Sequence, residues 1–128
     1  MIKLRDILTE SGLTGVMQIK GLGQVTCKWD TGATTRASAL HATDIRVDGD
    51  AVTWSFKGRT HKAPLAGYSD PKHKAQRPIV QLSCTWQGRS ITAPFALTDR
   101  STMSTDLLCN LSLMQQLGVE LDINSGAQ

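Results

Sequence analysis

Aromatic residues are scarce in this sequence: two Phe, one Tyr and three Trp among 128 positions. The core must therefore come mostly from aliphatic side chains, with each large ring counting heavily. No apolar run reaches the ~18 residues of a membrane helix, so no membrane partner is expected. Cys27, Cys84 and Cys109 are few and widely spaced, which does not read as a disulfide framework. No Cys-x-x-Cys pair offers a zinc site. Neither His-Glu-x-x-His nor a Gly-Lys-Ser/Thr phosphate loop occurs, so no metal or cofactor is expected. An excess of one charge is also missing. Fourteen basic and eleven acidic residues give +3, too little to argue for nucleic acid. Charges interrupt the first ten residues and no apolar stretch follows, so the segment is no signal peptide and a cytoplasmic location is expected.

What is present is mostly period two. Leu4, Ile7 and Leu8 allow a short N-terminal helix over 3–10, with a frayed segment as the alternative within residues 1–14. From residue 15 the pattern changes. Val25, Cys27 and Trp29 share one face of a strand that follows the turn Gly21-Leu22-Gly23. Residues 38–47 are extended, and Val52, Trp54 and Phe56 alternate with Thr53 and Ser55. Residues 57–78 hold Lys57, Arg59, Lys62, Lys72, Lys74 and Arg77 and read as a long exposed loop or mobile hairpin. Gln87-Gly88 joins two strands, 79–86 and 89–97. Leu113, Met114 and Leu117 have helical spacing, and Gly118 suits a helix end. A last strand covers 119–123, and 124–128 form a loose tail. The fold class expected is mainly β, a closed or sandwiched architecture with one short C-terminal helix. Its domain spans 15–123.

The strand ending at Trp29 runs directly into Asp30-Thr31-Gly32-Ala33-Thr34-Thr35. Trp29-Asp30-Thr31-Gly32-Ala33 resembles the active-site signature of retropepsin-like aspartic peptidases. Leu107-Leu108-Cys109-Asn110 and Leu113 to Ile123 are similar to that family's second apolar block and its C-terminal helix and strand. Within the family, three blocks resemble one bacterial group: residues 30–42, Arg77-Pro78-Ile79-Val80, and Leu97 to Met103. That group carries the label "ATP-dependent zinc protease" and is associated with the ribosomal-protein glutamate ligase system. Asn110 stands where the family has glycine, and Leu111 where an arginine often follows. Asn tolerates left-handed backbone, so the turn is expected to survive.

The resemblance implies a closed retropepsin-like barrel (the acid-protease fold) that hydrolyses peptide bonds. Two close carboxylates share a proton, so one activates water while the other donates to the carbonyl. One Asp-Thr-Gly per chain implies a homodimer with Asp30 from each copy. Terminal strands would pair at its surface. Thr31 and Gly32 would shape the catalytic turn. Ala33, Thr34, Asp99 and Arg100 would support it or meet substrate. His41 is a strand histidine with no role assigned. Gly58, Gly67 and Tyr68 mark a candidate flap, with Gly58 and Gly67 as hinges. The partner is a protein or peptide substrate, and the basic loop favours acidic segments. The alternative is a catalytically silent barrel serving as an assembly or adaptor module. A weaker one is a nucleic-acid binder using the basic loop, with Trp29, Trp54 and Trp86 as stacking platforms rather than core. The cysteines are expected to be buried hydrophobes.

Overall fold

A computed structural model describes residues 2–3, 13–30, 36–69, 76–118 and 121–122. Its strands are β1 (Ile2–Lys3), β2 (Leu13–Ile19), β3 (Gly23–Trp29), β4 (Ser38–His41), β5 (Thr43–Asp48) and β6 (Ala51–Phe56). There follow β7 (Arg59–Pro64), β8 (Gly67–Tyr68), β9 (Pro78–Trp86), β10 (Arg89–Thr98), β11 (Leu107–Cys109) and β12 (Leu121–Asp122). One short helix, α1 (Leu111–Gln116), lies between β11 and β12.

Six strands close a barrel in the order β10-β4-β11-β3-β2-β9, with β9 pairing back to β10. The barrel is mixed. β10–β4 and β11–β3 are parallel, whereas β11–β4, β2–β3, β2–β9 and β9–β10 are antiparallel. Alternation fills the interior, because successive strand side chains point to opposite faces. Met17, Ile19, Val25, Cys27, Leu40, Val80, Cys84, Phe95, Leu97, Leu107 and Cys109 are all buried within one cluster. Trp29 joins them and meets the half-buried Trp86 edge-to-face at 5.3 Å between ring centroids. The β5–β6–β7 sheet packs Val52, Trp54 and Phe56 onto the same core. With Trp29 and Trp54 inside, stacking on nucleic acid loses two of its three platforms.

Two hairpins are specified by their turns. Lys57-Gly58 has φ of 50° and 78°, and Gln87-Gly88 has 47° and 77°. Two successive left-handed residues match the strand twist, and glycine in second place makes them affordable.

Several expectations need correction. Of the loop or hairpin expected over 57–78, the first part is a strand, β7, paired with β6. Its period-two signal is carried by half-buried His61 and Ala63 alternating with exposed Thr60 and Lys62, which the cationic side chains disguise. His61 is half-buried, its ring centroid 5.7 Å from that of Trp54. The expected N-terminal helix begins at Lys3, which lies in β1; residues 4–10 are outside the described ones. The terminal strands meet within one copy, β1 running parallel to β12 through Ile2↔Leu121 and Lys3↔Asp122, a pairing that does not bear on the expected dimer surface. Val119, Glu120, Ile123, the tail and His73 lie outside the described residues.

Candidate active site

Asp30 follows the last residue of β3 and is half-buried. Its backbone N–H donates to the Cys109 carbonyl at 3.1 Å, extending the parallel β3–β11 pairing by one step. The next residue, Asn110, is 3% exposed and caps α1: its Oδ1 accepts from the Leu113 N–H at 2.9 Å. Asn110 Oδ1 also accepts from Ser38 Oγ at 3.1 Å, and Ser38 Oγ accepts from the Asn110 N–H at 3.0 Å. Asn110 has φ −81° and ψ 170°, an extended cap and not the expected left-handed turn. A side-chain oxygen is what this position uses, since the first N–H groups of a helix lack internal partners. The lock ties β4, β11 and α1 together beside Asp30.

Alternation and register put Asp30 on a definite face. Trp29, Cys27 and Val25 point into the barrel, so Asp30, Lys28 and Thr26 belong to its outside. Lys28 pairs with Leu108, Leu108 with Ala39, Ala39 with Ala96, and Ala96 with Ile79. Leu108 and Ala39 are half-buried, and Ala37, Ile79 and Ala96 form a small separate apolar cluster. This outer face therefore carries an apolar middle with Asp30 at one end.

Its other end holds His41, Thr98, Arg77 and Asp106. His41 N–H donates to the Asp106 carbonyl at 2.7 Å, and Thr98 pairs with His41. His41 Nδ1 accepts from the Arg100 N–H at 2.8 Å, which places the imidazole proton on Nε2. Asp99 Oδ1 stands 3.9 Å from the same Nδ1, which has no proton to share with it in this tautomer. Hydrogen bonds from the Ser101 hydroxyl and N–H hold the Asp99 carboxyl below its ordinary range. Arg100 Nε donates to the Thr105 carbonyl at 3.2 Å and Nη2 to Thr105 Oγ1 at 3.4 Å. Burial, and then the charge of Arg77, lower the Arg100 pKa, while Asp106 raises it.

Asp99 and Arg100 are thus not brought to Asp30. Asp30 continues β3 beside Cys109, whereas they cluster beside Asp106, at the start of β11. Four strand positions separate the two ends, roughly 13 Å at about 3.3 Å per residue. Gly67 lies beside Arg36. A Cβ on Gly67 would stand 3.6 Å and 3.7 Å from the terminal nitrogens of Arg36, and β8 pairs with β9 at Ile79 and Pro78. Gly58 does not belong with them. It sits in the β6–β7 turn, and neighbouring Lys57 donates from Nζ to the Gln24 carbonyl at 2.9 Å, near the start of β3. Thr31, Gly32, Ala33 and Thr34 lie outside the described residues.

The cysteines are interior thiols. The Cys27 sulfur contact and burial push the Cys109 thiol far up, and burial pushes Cys84 up to about 11. Thiols so raised are poor nucleophiles. Among the described residues no group of three His, Cys, Asp or Glu side chains is arranged to hold a metal ion. No described helix is long and apolar enough to cross a membrane.

No family model matches the chain, and no curated protein does. Among solved structures, the chain is similar to the crystal structure of Lpg0085, a protein of unknown function (DUF785) from Legionella pneumophila. The TM-score is 0.71 at 19% identity, over 88% of this chain and 92% of that one. That likeness shows a shared fold. It extends over nearly the whole barrel and assigns no activity to either protein. The residues that sequence reasoning missed are Ser38 and Arg77 as members of this face and its lock, and Asn110 as a helix cap. Only the cap had a local signal, an Asn directly before a helical spacing.

Proposed function

We propose that a single copy of this chain is a catalytically silent barrel of the retropepsin-like kind, which works by docking a protein or peptide partner on its Asp30 face. The observation that carries this is the disposition of carboxylates. Aspartic catalysis needs two of them close enough to share a proton. Apart from Asp30, among the acidic residues whose side chains the structure describes, Asp44, Asp48 and Asp50 belong to the β5–β6 hairpin, and Asp99 and Asp106 stand at the far end of the face. Among these side chains, one chain thus supplies one half of a dyad.

A second reading is favoured by the way Asp30 is held. Its N–H is fixed to Cys109 at a strand end, directly before Thr31-Gly32-Ala33. Two copies meeting across a two-fold axis would pair their Asp30 carboxylates and make a homodimeric aspartic endopeptidase. Water activated by one carboxylate would attack the peptide carbonyl while the other carboxyl group donates its proton.

The test is cleavage of a diverse unstructured peptide library read by mass spectrometry, from mildly acidic to neutral pH, with and without chelator. It is run at several protein concentrations beside Asp30→Asn. A folded protein that binds peptides and cuts none at any concentration supports the silent module. Cuts that rise with the square of protein concentration, survive chelation and vanish in Asp30→Asn replace it with the dimeric peptidase.

A further inference from the structure

We propose that Arg77 and Arg100 form a carboxylate-binding subsite at the far end of the Asp30 face, which seats an acidic side chain or a free C-terminus of an extended peptide. The inference rests on the peptide-docking reading and adds the substrate class. Arg77 precedes β9 and has the same parity as Ile79, so it falls on the outer face, two positions beyond the last β9–β10 pair, Ile79↔Ala96, where its backbone is bonded to Ser69. Thr98, two positions beyond Ala96 in β10, pairs with His41, whose ring is bound to the Arg100 backbone. Both arginines are half-buried, and the charge of Arg77 acts on Arg100.

Two partly desolvated guanidinium groups within reach of each other's charge repel, a cost that Asp106 offsets in part and that a further anion would relieve. The resident acids are already engaged. Asp106 Oδ2 accepts from the Thr26 N–H at 3.4 Å, and Asp99 is bound to Ser101 with its side chain 64% exposed. Among the described residues, no carboxylate lies within 4.0 Å of either guanidinium; the one close pair is His41–Asp99. Thr105 takes two of the five N–H donors of Arg100. Arg77 is tied down through its backbone, its N–H to Ser69 Oγ at 2.9 Å and its carbonyl to the Ser69 N–H at 2.8 Å. Its fork remains available for the bidentate geometry that carboxylates favour. A peptide lying extended over Leu108 and Ala39 covers about one residue per strand position, so its carboxylate falls roughly four residues from the bond nearest Asp30.

The experiment uses the Asp30→Asn protein as host and measures fluorescence anisotropy of labelled unstructured peptides. These come in matched pairs, one Glu against Gln and C-terminal acid against amide, with the Glu moved along the sequence. The acidic member is expected to bind about tenfold more tightly, as a charged hydrogen-bonded pair would. That preference should disappear in Arg77→Gln, whose backbone bonds to Ser69 are untouched, and melting temperature checks that the variant is folded. Whether the Glu pair or the acid–amide pair shows the preference identifies the source of the carboxylate. Matched pairs that bind within about twofold of each other overturn the subsite, as does a preference that survives in folded Arg77→Gln. Undetectable binding of every peptide overturns it as well. Cleavage by the wild type bears separately on the peptidase reading: cuts without acid preference sink the subsite alone, and acid-selective binding without cuts leaves it standing.

Discussion

Replacing Asn110 by alanine tests the lock beside Asp30. The side chain is 3% exposed, so water does not replace what the substitution removes. Two losses follow. The first is the cap on the Leu113 N–H, worth about 1 kcal/mol. The second is the acceptor for the buried Ser38 hydroxyl, left unsatisfied at a cost of about 1–3 kcal/mol. Together they predict destabilisation of about 2–4 kcal/mol. For a chain of this size that lowers the melting temperature by on the order of 10 °C. Ser38→Ala should cost about 1–3 kcal/mol, because Asn110 Oδ1 still caps α1 but the buried Asn110 N–H loses its Ser38 acceptor. The double variant should fall short of the sum, since both single changes remove the Ser38 Oγ–Asn110 Oδ1 bond. Chemical denaturation of the four proteins gives all the quantities needed. If Asn110→Ala lies within about 0.5 kcal/mol of wild type, or the two changes simply add, the lock does not hold these elements together.

Two further measurements bear on the fold. Gly58→Ala should destabilise by about 1–2 kcal/mol, because φ is 78° and no atom lies within 4 Å to complicate the steric cost of left-handed backbone; a neutral result in thermal unfolding would refute the turn assignment. Cys84 carries a pH prediction. Its folded pKa is raised to about 11 from 9.0, so above pH 9 the unfolded thiol ionises while the folded one stays protonated. The folded state then binds more protons, and stability falls as pH rises from 9 toward 11, by about 1–2 kcal/mol, with Cys84→Ala flattening that part of the curve.

The legible parts of the fold were those with local signals. β3 and β6 show their burial in the alternation of Val25, Cys27, Trp29 and of Val52, Trp54, Phe56. Gln87-Gly88 marks its hairpin, and Gly118 follows the helix it was expected to end. β7 escaped because a strand at the outer side of a three-stranded sheet needs few apolar residues, and Arg59, Lys62 and His61 resemble loop composition. Asn110 was assigned the wrong backbone because comparison with a glycine suggests left-handed geometry, while the neighbouring Ser38, 72 residues away in sequence, is what makes a capping side chain useful there. Asp30 itself was legible as a strand-end carboxylate. Its separation from Asp99 and Arg100 was not, since that depends on which strand neighbours which.

That dependence has a physical consequence for the site. Asp30 shares a face with Leu108, Ala39 and Arg77 through a run of four pairings, two of which, β3–β11 and β10–β4, are parallel and cannot be set by a short turn. Register there must come from burial. A slip of one residue in β3 would turn Cys27 and Trp29 outward and Lys28 and Asp30 into a core whose members are less than one-twentieth exposed. The cost of burying Lys28 and Asp30 unpaired far exceeds what any single surface contact contributes. The apolar inner face of β3 thus fixes the direction of the Asp30 carboxylate as firmly as any hydrogen bond at the site, and the same alternation in β9 fixes Arg77. Function at the outer face is therefore tied to packing at the inner one, which is why substitutions at Cys27 or Val80 should disturb peptide binding at Asp30 and Arg77 without touching either.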